Sequence, residues 1–163
     1  MKVKHILSAF LGFALLLSSC ESLDYTRPDQ LSNTTFWKTE LHAKQAAVGL
    51  YQAMMQPWCF GLEFAFDMCT DLADGTNPFA DISRGTSFAS TSGAVQNHWQ
   101  YLYELVHRSN TVIRNVSTMD IDQTKIDPII GEAKFLRAMA YFRMLNCWGG
   151  VPYYDETCII EEE

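Results

Sequence analysis

The stretch that decides the fold is Asp127-Pro128-Ile129-Ile130-Gly131-Glu132-Ala133-Lys134-Phe135-Leu136-Arg137-Ala138-Met139-Ala140-Tyr141-Phe142-Arg143-Met144-Leu145, closed by Gly149-Gly150 and Pro152. Ile129, Ala133, Leu136, Ala140 and Met144 recur at three- and four-residue intervals, with Ile130 and Leu145 beside them. That period places them on one face of an α-helix. Asp127 followed by proline reads as an N-cap with proline at the first helical position, where a missing N–H is harmless. Phe135 and Phe142 fall on adjacent faces. A stripe that wide expects partners on more than one side.

Working outward, Val95, Trp99, Leu102, Tyr103, Val106, Asn110 and Ile113 share the face of an earlier helix. Ala43, Ala46, Ala47, Leu50, Tyr51 and Met54 define the first, with Thr39 as N-cap, Glu40 in the first turn and Pro57 as its stop. Between these two, residues 70–93 are rich in Gly, Ser, Thr, Asn and Asp, too long for a simple connection. The thirteen residues after Gly150 carry apolar pieces but no partner strand, and no pair of alternating β-branched runs supports a sheet. The expected class is all-α. Helices paired through turns suggest a helical-repeat architecture, although the tetratricopeptide consensus cannot be laid over either pair.

The start of the chain belongs to targeting. Lys2, Lys4 and His5 precede the apolar run 6–17, and Leu17-Ser18-Ser19-Cys20 looks like a bacterial lipobox. Residues 1–19 are therefore expected to be a lipoprotein signal peptide, and Cys20 the lipidated residue. Residues 20–38 read as a lipid-anchored tether and 39–163 as the helical domain. Both charged residues of the leader are lysines, so Lys+Arg falls from 12 to 10 against 19 Asp+Glu and the remainder carries −9. Such a chain repels phosphate backbones, which argues against nucleic-acid binding. An apolar content of 48% is too high for a disordered segment. No run beyond the leader approaches the ~18 apolar residues of a membrane span.

Catalytic and metal signatures are missing. No histidine sits in H-E-x-x-H, Gly85-Thr86-Ser87-Phe88-Ala89 fails the nucleophile elbow at its last position, and no C-x-x-C occurs. Asp67, Asp71, Asp74, Asn77 and Asp81 carry the oxygens calcium takes, but not at the EF-hand spacing; a solvated loop is the expectation, with no metal or cofactor. Cys59, Cys69, Cys147 and Cys158 allow three disulfide pairings in an exported chain. Buried free thiols are the favoured reading, because a domain of this size does not need staples. Within the polar loop, Asp71, Asp74, Asn77, Phe79 and Arg84 combine an aromatic ring with donors and acceptors, the mixture a sugar needs. They are the candidate ligand residues.

A series of segments together carries a resemblance: Leu23-Asp24 and Pro28 after the lipobox, Phe36-Trp37-Lys38-Thr39-Glu40 opening a helix with Ala47 and Tyr51, and Trp99, Tyr103 and Asn110 on another. Glu132-Ala133-Lys134-Phe135-Leu136-Arg137-Ala138, Tyr141-Phe142 and Gly149-Gly150-Val151-Pro152 complete it. In that order the chain resembles the N-terminal region of the SusD/RagB family of outer-membrane lipoproteins. The resemblance implies tetratricopeptide-like helices and a lipid-anchored, surface-exposed location on the cell outer membrane, while the missing catalytic signatures are what lead to the expectation of no enzymatic activity. The resemblance further implies a glycan or other nutrient as ligand and a TonB-dependent SusC-type transporter as partner. Family members are several times longer, so an N-terminal fragment is expected, and no family ligand residue carries over.

Phe36 and Trp37 are expected to pin the tether to the core, Trp99 and Tyr103 to lie within it, and Arg137 to pair with an acidic neighbour. The competing function is a helical-repeat interaction module without a sugar ligand. Exposed aromatics in the loop would favour the sugar; an apolar groove between helices would favour the scaffold.

Overall fold

The computed structural model describes residues 36–61, 63–75, 80–86 and 93–158. The leader, Cys20 and most of the tether lie outside these, as do Asn77 and Phe79. The described residues are helical and contain no strand, so the class is all-α.

Helix α1 spans Glu40–Met54, capped where Thr39 Oγ1 accepts from the His42 N–H at 3.3 Å. Its buried face is Ala43, Ala47, Leu50 and Ala53, three alanines that let it approach its neighbours closely. Tyr51, expected on this face, is exposed. Pro57 does not stop the helix directly. It opens a π-helical turn, Pro57–Gly61, that buries Cys59 and leads into a 3-10 helix, Glu63–Cys69. Gly61 is obligatory in that reversal, because a Cβ there would lie 2.4 Å from the Met55 carbonyl oxygen. The polar loop contains a single helical turn, α2, Ala80–Ser83.

Helices α3, Gly93–Val116, and α4, Gln123–Trp148, form a long hairpin through the turn at 117–122. Helix α1 packs against both. Leu50, Leu102, Leu105, Val106, Val116, Ile126, Leu136 and Met144 are fully buried at the centre, and Trp37 packs against them as expected. Burial of one such side chain stabilises by about 1.5–3 kcal/mol, so this seam holds the three helices together.

The α4 boundary departs from the Asp127-Pro128 reading. Asp122 is the N-cap, its Oδ1 accepting from the Thr124 N–H at 2.9 Å, and Pro128 lies inside the helix. Proline withdraws the bond to the carbonyl four residues back, but Ile126 is already core and holds the added turn in place. Gly149 ends α4 with φ 75° and donates to the Leu145 carbonyl at 2.9 Å. On the outer side of α4, Phe135, Phe142 and Leu145 remain 66%, 65% and 53% exposed, so the wide stripe is only partly covered.

Candidate functional site

Of the loop residues singled out by composition, the structure describes Asp71, Asp74 and Arg84. Arg84 pairs with Asp74, donates to the Gly75 carbonyl at 2.8 Å and lies 3.8 Å from Asp81. The Gly75 N–H and then the Arg84 guanidinium hold the Asp74 carboxyl below its ordinary range. Two of the candidates therefore satisfy each other, fastening the loop across α2. Asp71 is exposed, and Asn77 and Phe79 lie outside the described residues. No group of three or more His, Cys, Asp or Glu is placed to hold a metal among the described residues. Cys59, Cys69, Cys147 and Cys158 are free thiols, with Cys147 and Cys158 exposed rather than buried; desolvation pushes the Cys59 thiol up to about 12.

A trough opens elsewhere, between α3 and the segment after α4. Its volume is about 510 Å³, the size of a small-ligand pocket. Tyr103, His107, Asn110, Thr111 and Arg114 line one side, at the three- and four-residue spacing of a single helix face, and Tyr154 lines the other. The far wall is held by hydrogen bonds. Tyr103 Oη donates to the Pro152 carbonyl at 2.8 Å and Asn110 Nδ2 to the Tyr154 carbonyl at 3.1 Å. Tyr141 Oη donates to that same carbonyl at 3.0 Å and accepts from the Tyr154 N–H at 2.7 Å. The tail that showed no partner strand in the sequence thus finds side chains instead, which satisfy its backbone.

Behind the wall, Arg137 donates to Asn110 Oδ1 at 2.6 Å and pairs with Glu156. Arg137 holds the Glu156 carboxyl below its usual value. The expected acidic partner of Arg137 is therefore six residues beyond the α4 glycine pair. Burial raises the pKa of both Tyr103 and Tyr141, keeping their hydroxyls protonated as donors.

Trp99 and Tyr103 do not lie within the core; they are half-buried at its edge. Their rings are 4.9 Å apart, Trp148 meets Trp99 at 5.2 Å, and Tyr154 meets Tyr103 at 5.9 Å. Tyr141 and Tyr153 extend the terrace at 5.0 Å. Sequence reasoning missed this because the tail tyrosines have no periodicity. The polar i, i+3, i+4, i+7 series on α3 was the available signal.

The long helical hairpin thus bears a tyrosine-walled trough of ligand size. The chain belongs to the SusD-like family: the family model described as "Starch-binding associating with outer membrane" matches residues 21–159. SusD-like protein P25 of Formosa agariphila is 31% identical over 178 residues, covering 99% of this chain and 33% of that protein. SusD-like protein P38 of the same organism is 29% identical over 163 residues, covering 96% and 32%. The chain thus spans about a third of the length of the curated relatives it matches. No solved structure matches it.

Proposed function

We propose that the chain serves an outer-membrane surface lipoprotein that binds glycans or other nutrients and passes them to a TonB-dependent transporter of the SusC type. Residues 1–19 act as its signal peptide, Cys20 carries the lipid, 20–38 form the tether and 39–163 the helical domain. Replacing Cys20 with Ser then moves the protein from membrane to soluble fractions; a variant that stays with the membrane places the anchor elsewhere.

The observation that carries the glycan reading is the trough with its aromatic edge. Pyranose rings present apolar faces and hydroxyl rims, which tyrosine rings and polar side chains match together. Binding is not followed by hydrolysis. Glycosidases need two carboxyls flanking the bond, and Glu104, the one glutamate lining the trough among the described residues, is engaged by Arg108. Electrophoresis of the full chain through polysaccharide-loaded gels tests the reading. Retardation by at least one polysaccharide, reduced by Tyr154→Ala, supports it; unchanged mobility in every gel refutes it.

The interaction-module reading has one observation of its own. Met54, Met55, Phe60, Phe66, Met139 and Phe142 line a second, apolar groove of about 670 Å³ between α1 and α4. It lies apart from the trough, so glycan capture and a protein contact occupy different surfaces.

A further inference from the structure

The charge pattern of the trough narrows its ligand, and this inference rests on the glycan reading above. Fourteen positions separate Gln100 from Arg114 on the lining face of α3, so the trough runs about 21 Å along the helix. That length suits an extended oligosaccharide rather than a single sugar.

The polar groups of the trough fall into two sets. Tyr103 and Asn110 are engaged with the 151–158 segment, and Thr111 Oγ1 donates to the His107 carbonyl at 3.0 Å. These side chains shape the walls. The Gln100 amide, the His107 imidazole, the Tyr154 hydroxyl and the Arg114 guanidinium make no hydrogen bond or ion pair among the described residues. They face a ligand with their hydrogen-bonding capacity intact.

Arg114 is the informative member. Arg84, Arg108, Arg137 and Arg143 each hold a carboxylate. Arg114, alone among the described arginines, holds none, although the chain has a net charge of −7. A cation in the last turn of α3 favours the helix end, but any cation does that equally. What the helix end does not require is a planar fork at one end of a trough that two tyrosines also line. Glu104, which would otherwise repel an anion from this face, is neutralised by Arg108.

We propose that the trough selects acidic oligosaccharides, Arg114 pairing with a carboxylate or sulfate ester of the sugar while Tyr103 and Tyr154 meet its ring faces. The guanidinium offers two parallel N–H donors to two oxygens of one oxyanion, a geometry an ammonium lacks.

Calorimetric titration of the full chain with neutral, uronate-bearing and sulfated oligosaccharides of matched length tests this. The acidic ligands bind at least about tenfold tighter than the neutral one, and the stronger of the two identifies the oxyanion. Arg114→Gln abolishes that preference, bringing the acidic ligands down to the affinity of the neutral one, and Arg114→Lys retains part of it; circular dichroism verifies that both variants stay helical. Raising the salt weakens only the acidic ligands. Equal or tighter neutral binding, or acidic binding indifferent to Arg114→Gln, overturns the acidic preference and leaves glycan capture standing. Binding of none of the three classes overturns both.

Discussion

Arg137 on α4 grips Glu156 in the segment beyond the helix, and the same guanidinium donates to Asn110 Oδ1 on α3 at 2.6 Å. One side chain thereby ties together both helices of the hairpin and the far wall of the trough. Its side chain is only 12% exposed, so its charge depends on these partners.

Arg137→Leu is expected to destabilise the chain by about 2 kcal/mol. That lies between the cost of breaking a fully buried pair and an exposed one, because the Glu156 side chain is 32% exposed. Hydrogen exchange gives the sharper readout. Protection of the Tyr154 amide should disappear while the α3 and α4 amides keep theirs; a segment that stays protected would show that the tyrosines suffice to hold it.

Two glycines should respond in opposite directions. Gly61→Ala drives a Cβ into the Met55 and Gln56 carbonyls, at 2.4 and 3.0 Å, and should cost about 1–3 kcal/mol. Gly49 lies inside α1 with open space around it, so Gly49→Ala should stabilise by about 0.5–1 kcal/mol. Denaturant midpoints measure both; a neutral or stabilising Gly61→Ala would contradict the tight reversal, and a destabilising Gly49→Ala the open space at that position.

Acid should weaken the fold in two stages. His98 is buried, its Nδ1 2.6 Å from the Trp58 carbonyl oxygen, and burial lowers its pKa. The unfolded chain then takes up the proton first, so stability falls as pH drops below about 6.5. Glu156 follows: its folded pKa is lowered by Arg137, so its contribution is present above the unfolded value and lost as pH falls through the folded one. Urea midpoints between pH 7 and 5 should decline in the wild type and flatten in His98→Gln. An unchanged slope in that variant would assign the decline to other groups.

The outer side of α4 should bind apolar dyes. Phe135 and Phe142 expose about two thirds of their surface on one helical stripe. Replacing both with Gln should cut dye fluorescence while shifting stability by no more than about 0.5 kcal/mol per residue. A large loss of stability would mean that these rings are packed.

Thr39 as cap, the alanine face of α1 and the Ile129, Ala133, Leu136, Ala140, Met144 seam were all legible, because helix periodicity and capping are written in neighbouring residues. The all-α class followed from them. The Asp127-Pro128 pair misled for a related reason. A local signal for a helix start was overridden by Ile126, whose burial depends on residues far away in the chain. The candidate site was less legible still. Asp74 and Arg84 have the right chemistry for a ligand, and no local pattern foretold that they also pair with each other across ten residues.

The sequence by itself determined where helices form and which of their faces are apolar, because both depend on residues a few positions apart. Only the tertiary structure decided the trough. Tyr103 meets Pro152 across 49 residues, Asn110 meets Tyr154 across 44, and Arg137 closes the wall on Glu156. Contacts at such separations leave no periodic trace: they arise when the packed hairpin turns the chain back across its own surface, and the exposed backbone of that returning segment must find its hydrogen-bond partners there.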